Sequence, residues 1–120
     1  LVVESGVLPE DRAVVSAGMR QLSENGSGQL ILTVGANGFL IRDCAPEAVE
    51  DAAERLLPGI PEQMRAYNMR YSKKVMLDRS QAGICSGTVM LNLPASPKLA
   101  KEGLEYVLPQ IIQLMETLNL

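Results

Sequence analysis

Residues 32–48 read LTVGANGFLIRDCAPEA. An apolar run leads into Gly35 and Gly38, a cation and an anion stand side by side at Arg42 and Asp43, and Pro46 opens an acidic, alanine-rich stretch. Glycines let backbone amides approach a phosphate closely. An arginine can clamp that anion, and an aspartate can hold a magnesium ion or orient a reacting group. A second loop, PASPK after the apolar TVMLNL, adds polar contacts around Asn92, Ser96 and Lys98. On residue type alone, Arg42 and Asp43 either solvate a surface turn or face a charged ligand, and both readings stay open.

The rest of the composition narrows the chemistry. The chain has 120 residues, of which 47% are hydrophobic and 21% charged, ordinary values for one globular domain with a real core. Histidine is absent, which excludes Ser-His and Cys-His nucleophile pairs and histidine metal ligands. A net charge of −3 and a pI near 4.9 argue against nucleic acid as a partner, while leaving room for a local phosphate pocket. Cys44 and Cys85 show no metal-ligand spacing and read as free thiols of a reducing compartment. Cys44 sits near a helix start, a place that can lower a thiol pKa. No apolar run approaches the ~18 residues of a membrane span, and no signal peptide is visible, so a cytoplasmic location and no membrane partner are expected.

The elements that must position these residues follow from pattern. Residues 1–7 read as a short strand, and residues 10–24 as an amphipathic helix with Val15, Met19 and Leu22 on one side. The sequence ENGSG at 24–28 stops it, with Gly26 and Gly28 free to become left-handed. The apolar run 29–34 reads as an interior strand buried on both faces. Pro46 starts a helix whose apolar side is Ala48, Ala52, Ala53, Leu56 and Leu57, and PGIP at 58–61 ends it. A helix over 62–70, two strands in QAGICSGTVMLNL joined at Ser-Gly, a helix from Pro97 to Pro109 and a last one over 110–118 complete the chain. Alternating helices and buried strands predict an α/β fold with a mainly parallel sheet. Ligands of such sheets settle at the carboxyl ends of strands, where the 35–43 and 94–98 loops lie.

Four stretches occur in order and at consistent separations: LILTVGANGFLIRDCAPEA, LLPGIPEQMR, MLDRSQAGI and NLPASPKLAKEGLE. Together, from about Val7 to the last helix, they resemble the molybdopterin adenylyltransferase family of molybdenum cofactor biosynthesis. The resemblance implies a three-layer α/β/α fold, a homotrimer, and transfer of AMP from ATP, with magnesium, onto the terminal phosphate of molybdopterin. It also implies that residues 1–120 form one molybdopterin-binding-like domain lacking an N-terminal strand and helix. By the same resemblance Gly35, Ala36, Asn37 and Gly38 match the phosphate-binding loop beside Arg42. Asp43 matches the catalytic, metal-holding acid, and Glu10 of LPED stands at a second acidic position. Asn92, Pro94, Ala95, Ser96 and Pro97 match the family's NLPGSP at the pterin phosphate. Other molybdenum cofactor enzymes are implied partners.

Several positions depart from the family. Ala36 and Asn37 stand in its GGTG loop, Ala45 replaces the threonine of RDxTPEA, Ala95 replaces a glycine, and Cys85 stands where arginine is usual. A β-carbon at Ala36 crowds a backbone that takes positive φ, and without a hydroxyl at Ala45 a helix cap worth about 0.5–2 kcal/mol is lost. Two further functions therefore stand beside adenylylation: a non-catalytic molybdopterin-binding or assembly module, and a molybdate-inserting relative of the same fold.

Overall fold

The computed structural model describes residues 5–26 and 29–120. Its first helix, α1 (Arg12–Asn25), begins at Asp11, whose Oδ1 accepts hydrogen bonds from the amides of Ala13 and Val14 at 3.0 and 3.1 Å. This is the preferred way to satisfy the unpaired amides of a first turn. Strand β1 (Leu30–Val34) leads to the 35–43 loop and to α2 (Ala45–Ala52). A two-residue strand β2 (Arg55–Leu56), helix α3 (Gly59–Asn68) and a 3-10 turn at Lys73–Leu77 follow. Strands β3 (Ala82–Cys85) and β4 (Thr88–Leu93) form a hairpin, and α4 (Pro97–Leu118) closes the chain.

The sheet runs β1-β4-β3-β2, with helices on both faces, and the fold is α/β in three layers. Every residue of β4 is buried, and its side chains alternate between two cores. Val89, Leu91 and Leu93 pack with Met64 of α3 and Val107 and Ile111 of α4. Met90 points the other way, onto Met19 of α1 and Val49 and Ala52 of α2. The central strand is thus held from both sides by apolar contact, the dominant favourable term in folding.

Several expectations are corrected. The sheet is mixed rather than mainly parallel: β1 and β4 are parallel, but β4–β3 and β3–β2 are antiparallel. Ser86 and Gly87, at φ of 49° and 76°, make a two-residue turn that returns the chain directly, which only an antiparallel pair allows. Strand β1 is an outer strand, not an interior one; it pairs with β4 alone among the described residues, and Val34 is 66% exposed. Helix α2 stops at Ala52, so Leu56 lies in β2 rather than on the helix, and PGIP starts α3 instead of ending α2; the 97–109 and 110–118 segments form one helix through Pro109. Pro109 and Glu105, whose carbonyl loses its amide donor, both lie on the exposed side of the helix, open to solvent. Gly26 is extended at φ −165° rather than left-handed. Residues 5–7 form no strand, while residues 1–4 and Gly28 lie outside the described residues. Among the described residues, no helix is long and apolar enough to cross a membrane.

Candidate active site

Strand β1 ends where β4 ends, because their register pairs Val34 with Leu93. The 35–43 and 94–98 loops therefore leave the sheet side by side. The Gly35 amide extends the ladder by donating to the Leu93 carbonyl at 2.9 Å. Gly35 (φ 84°) and Ala36 (φ 53°) then turn left-handed, a conformation free for glycine and strained for alanine. The turn places the Ala36 carbonyl where the Ala45 amide donates to it at 2.9 Å, tying the loop to the start of α2.

Asn37 is buried, and its amide nitrogen donates to Asp78 Oδ1 and, at 2.8 Å, to Ser80 Oγ. Asp78 in turn pairs with Arg65 at 3.3 Å. Arg79, between Asp78 and Ser80 in sequence, grips the loop. Its guanidinium donates to the Gly38 carbonyl and to the Asp43 carbonyl, each at 2.6 Å, and to both carboxylate oxygens of Glu47 at 2.7 and 3.1 Å. The two ends of the 38–43 segment are thus fastened to one planar group. That hydrogen bonding holds the Glu47 carboxyl below its ordinary pKa and the guanidinium above its own.

Two cavities flank the loop. One, of about 290 Å³, lies between the loop, α3, the 3-10 turn and the 94–99 segment. Asn37, Gly38, Pro94 and Ser96 line it, so the two sequence-predicted motifs meet there, joined by Arg65, Asn68 and Lys74. The other, about 560 Å³, is an acidic groove between the start of α1 and α2, lined by Glu10, Asp11, Glu47 and Asp51 with Ile41 and Cys44. Burial raises the pKa of the Cys44 thiol, with acidic neighbours adding to the effect, opposite to the lowering expected at a helix start.

The remaining site residues take other places. Arg42 turns toward Glu10, 3.9 Å away, both well exposed. Asp43 lines neither cavity; its Oδ2 accepts the Leu40 amide at 3.0 Å, and a β-carbon on Gly38 would stand 2.8 Å from the same oxygen. Asn92 is fully buried in β4 and engaged by Thr33 Oγ1, the Ala45 carbonyl and the Gln81 amide. Ala95 is exposed, Ser96 caps α4 through the Leu99 amide, and Pro97 opens that helix. Lys98 rests over the Tyr71 ring at 4.6 Å. Sequence reading assigned no role to Asp78, Arg79 and Ser80, although their stretch MLDRSQAGI is among the four that carry the resemblance.

Magnesium takes one or two carboxylates and fills its shell with water and substrate phosphates. No group of three or more histidine, cysteine, aspartate or glutamate side chains could hold a metal among the described residues. Asp43 alone, with Oδ2 on the Leu40 amide, fits an ion held chiefly by nucleotide phosphates rather than a protein cage.

A family model described as a probable molybdopterin binding domain matches residues 1–113. Molybdopterin adenylyltransferase of Helicobacter pylori (strain ATCC 700392 / 26695) is 32% identical over 105 residues, which is 88% of this chain and 60% of that protein. Molybdopterin adenylyltransferase of Escherichia coli K12 is 34% identical over 105 residues, 88% of this chain and 54% of that protein. The chain thus spans less than two thirds of the length of either relative. Among solved structures, the molybdopterin biosynthesis enzyme MoaB from Thermus thermophilus aligns with a TM-score of 0.81 at 36% identity, over 92% of this chain and 69% of that one. A molybdopterin biosynthesis protein from Mycobacterium abscessus aligns with a TM-score of 0.85 at 30% identity, over 93% and 71%.

Proposed function

Because this chain belongs to the molybdopterin-binding domain family, we propose that it works in molybdenum cofactor biosynthesis as an adenylyltransferase. A terminal phosphate oxygen of molybdopterin attacks the α-phosphorus of ATP, a new P–O bond forms, and pyrophosphate leaves with the bonding pair. The observation that carries this reading is the meeting of Asn37 and Gly38 with Pro94 and Ser96 around one cavity, in a chain 32–34% identical to named molybdopterin adenylyltransferases.

Such transfers depend on positioning and on neutralising phosphate charge. The 35–38 backbone cradles phosphate, while Arg65 and Lys74 supply positive charge from the cavity wall. Asp43, with Glu10 assisting from the neighbouring groove, is the acid of the site, and Arg42 steadies the polyanion. Magnesium, held by Asp43 and the nucleotide, would neutralise the phosphates. Pro94 to Pro97 form the rim toward the pterin phosphate. The reading includes a homotrimer in the cytoplasm that passes its product to other molybdenum cofactor enzymes.

Two observations favour a second reading, a non-catalytic pterin-binding module. Ala36 places a β-carbon in a left-handed turn at the phosphate loop, and the Asp43 carboxylate is turned onto its own loop. The RDCAPEA segment argues for the adenylylating branch over a molybdate-inserting one. The deciding experiment is pyrophosphate release from ATP with molybdopterin added. Release that requires both substrates supports adenylylation, whereas pterin binding without release supports the binding module.

A further inference from the structure

Helices α3 and α4 press together at Gly103, where an added β-carbon would lie 2.5 Å from Met64 Cγ and 2.9 Å from Asn68 Nδ2. That contact fixes the Asn68 side chain at the last turn of α3, where it is 2% exposed. Its Nδ2 donates to the Leu99 carbonyl at 3.0 Å. Rotating the amide would set two oxygens against each other, so the Leu99 bond also fixes which end is Oδ1. Asn68 Oδ1 has no hydrogen-bond partner, the one buried side-chain nitrogen or oxygen in that state among the described residues. Buried acceptors are nearly always satisfied, so an orphan one calls for a donor.

Asn68 lines the 290 Å³ cavity, whose other walls include Phe39, Met64, Val75 and Leu99. Largely apolar walls with a few fixed polar groups are the usual make-up of a small-molecule site. We propose that Asn68 is a specificity-determining residue: its Oδ1 accepts a hydrogen bond from the exocyclic amino group of a flat nitrogen heterocycle seated in this cavity. The inference rests on the adenylyltransferase reading, in which both substrates carry such a ring, the pterin of one and the adenine of the other. The apolar walls cover the faces of the ring, and Asn68 reads its edge. A site built to pair with an amino group discriminates strongly against an analogue that carries an oxo group there.

Equilibrium binding of four probes separates the sources: 6-hydroxymethylpterin against 6-hydroxymethyllumazine, and AMP against inosine monophosphate. In each pair an oxo group replaces the amine. The wild-type protein is expected to prefer the amino member of one pair by about tenfold or more, the equivalent of one net hydrogen bond. Asn68→Leu is expected to erase that preference and leave the other pair unchanged. Loss in the pterin pair assigns the cavity to molybdopterin, and loss in the nucleotide pair assigns it to adenine. If both preferences survive the substitution, or wild type shows neither, the proposal is overturned. Each preference is a ratio within one sample, so a partly unfolded variant does not imitate its loss, and Asn68→Ala serves where the leucine variant fails to fold. Binding is read without turnover, so these outcomes are independent of whether pyrophosphate is released.

Discussion

The guanidinium of Arg79 bonds the carbonyls of Gly38 and Asp43 while sharing the Glu47 carboxylate, so both ends of the 38–43 loop and the first turn of α2 are set by one planar group. Lysine keeps the charge but offers no rigid fork. Arg79→Lys is expected to lower the adenylylation rate by about 10- to 100-fold, the scale of a small misplacement of reacting groups. Stability should change little, because lysine keeps the positive charge beside Glu47 on a side chain that is 41% exposed. Steady-state rates beside thermal melts check this; a large loss of stability with an unchanged rate would contradict the positioning role. Ala36 presents the opposite case, a local cost. Its φ of 53° suits glycine, so Ala36→Gly is expected to stabilise the fold by about 0.5–1 kcal/mol, measured by urea denaturation.

At the scale of elements, much of the fold was legible. Apolar runs bounded by glycine and proline marked β1, β3 and β4, and the Ser-Gly turn marked their hairpin. Strand order was not legible, because an apolar run reads alike in an inner and an outer strand: Leu30 to Val34 carries no charge, yet only one of its edges is paired among the described residues. Strand β2 escaped notice because two residues show no period. Helix α4 was split at Pro109, since a proline signals a break unless its lost bond faces water. The site was legible as two loops, while the clasp on them was not; Asp78 and Arg79 are charged loop residues whose contacts with the 37–47 stretch span more than 30 positions. Close approach between elements is testable at Gly83, where a β-carbon would sit 2.6 Å from Ala53 Cβ and 2.9 Å from the Arg55 carbonyl. Gly83→Ala is expected to cost about 1–3 kcal/mol in denaturant midpoints, because backbone cannot step aside as a flexible side chain can.

For the whole molecule, charge and loop geometry set two behaviours. Arg79 holds the Glu47 carboxyl below its ordinary pKa, and Arg12 does the same for Asp51. A carboxyl lowered by folding contributes stability above its unfolded pKa of about 4 and loses it as pH falls through the folded value. With no histidine in the chain, no imidazole titrates between. The melting temperature should therefore be level from about pH 5 to 8 and fall below about pH 4.5. The double variant Glu47→Gln, Asp51→Asn should show a shallower acid limb, and an equally steep one would contradict this assignment. The second is the adenylylation proposed for the cavity between the 35–43 and 94–98 loops, in which Asp43, on the first of those loops, is either the acid of the reaction or only a charge near a helix end, worth ~0.3–1 kcal/mol. Asp43→Asn separates the two most directly when pyrophosphate release and molybdopterin binding are measured on the same preparation. The account predicts that release is abolished while binding persists, because the carboxylate serves phosphate charge rather than pterin recognition. Full release by the variant would contradict it.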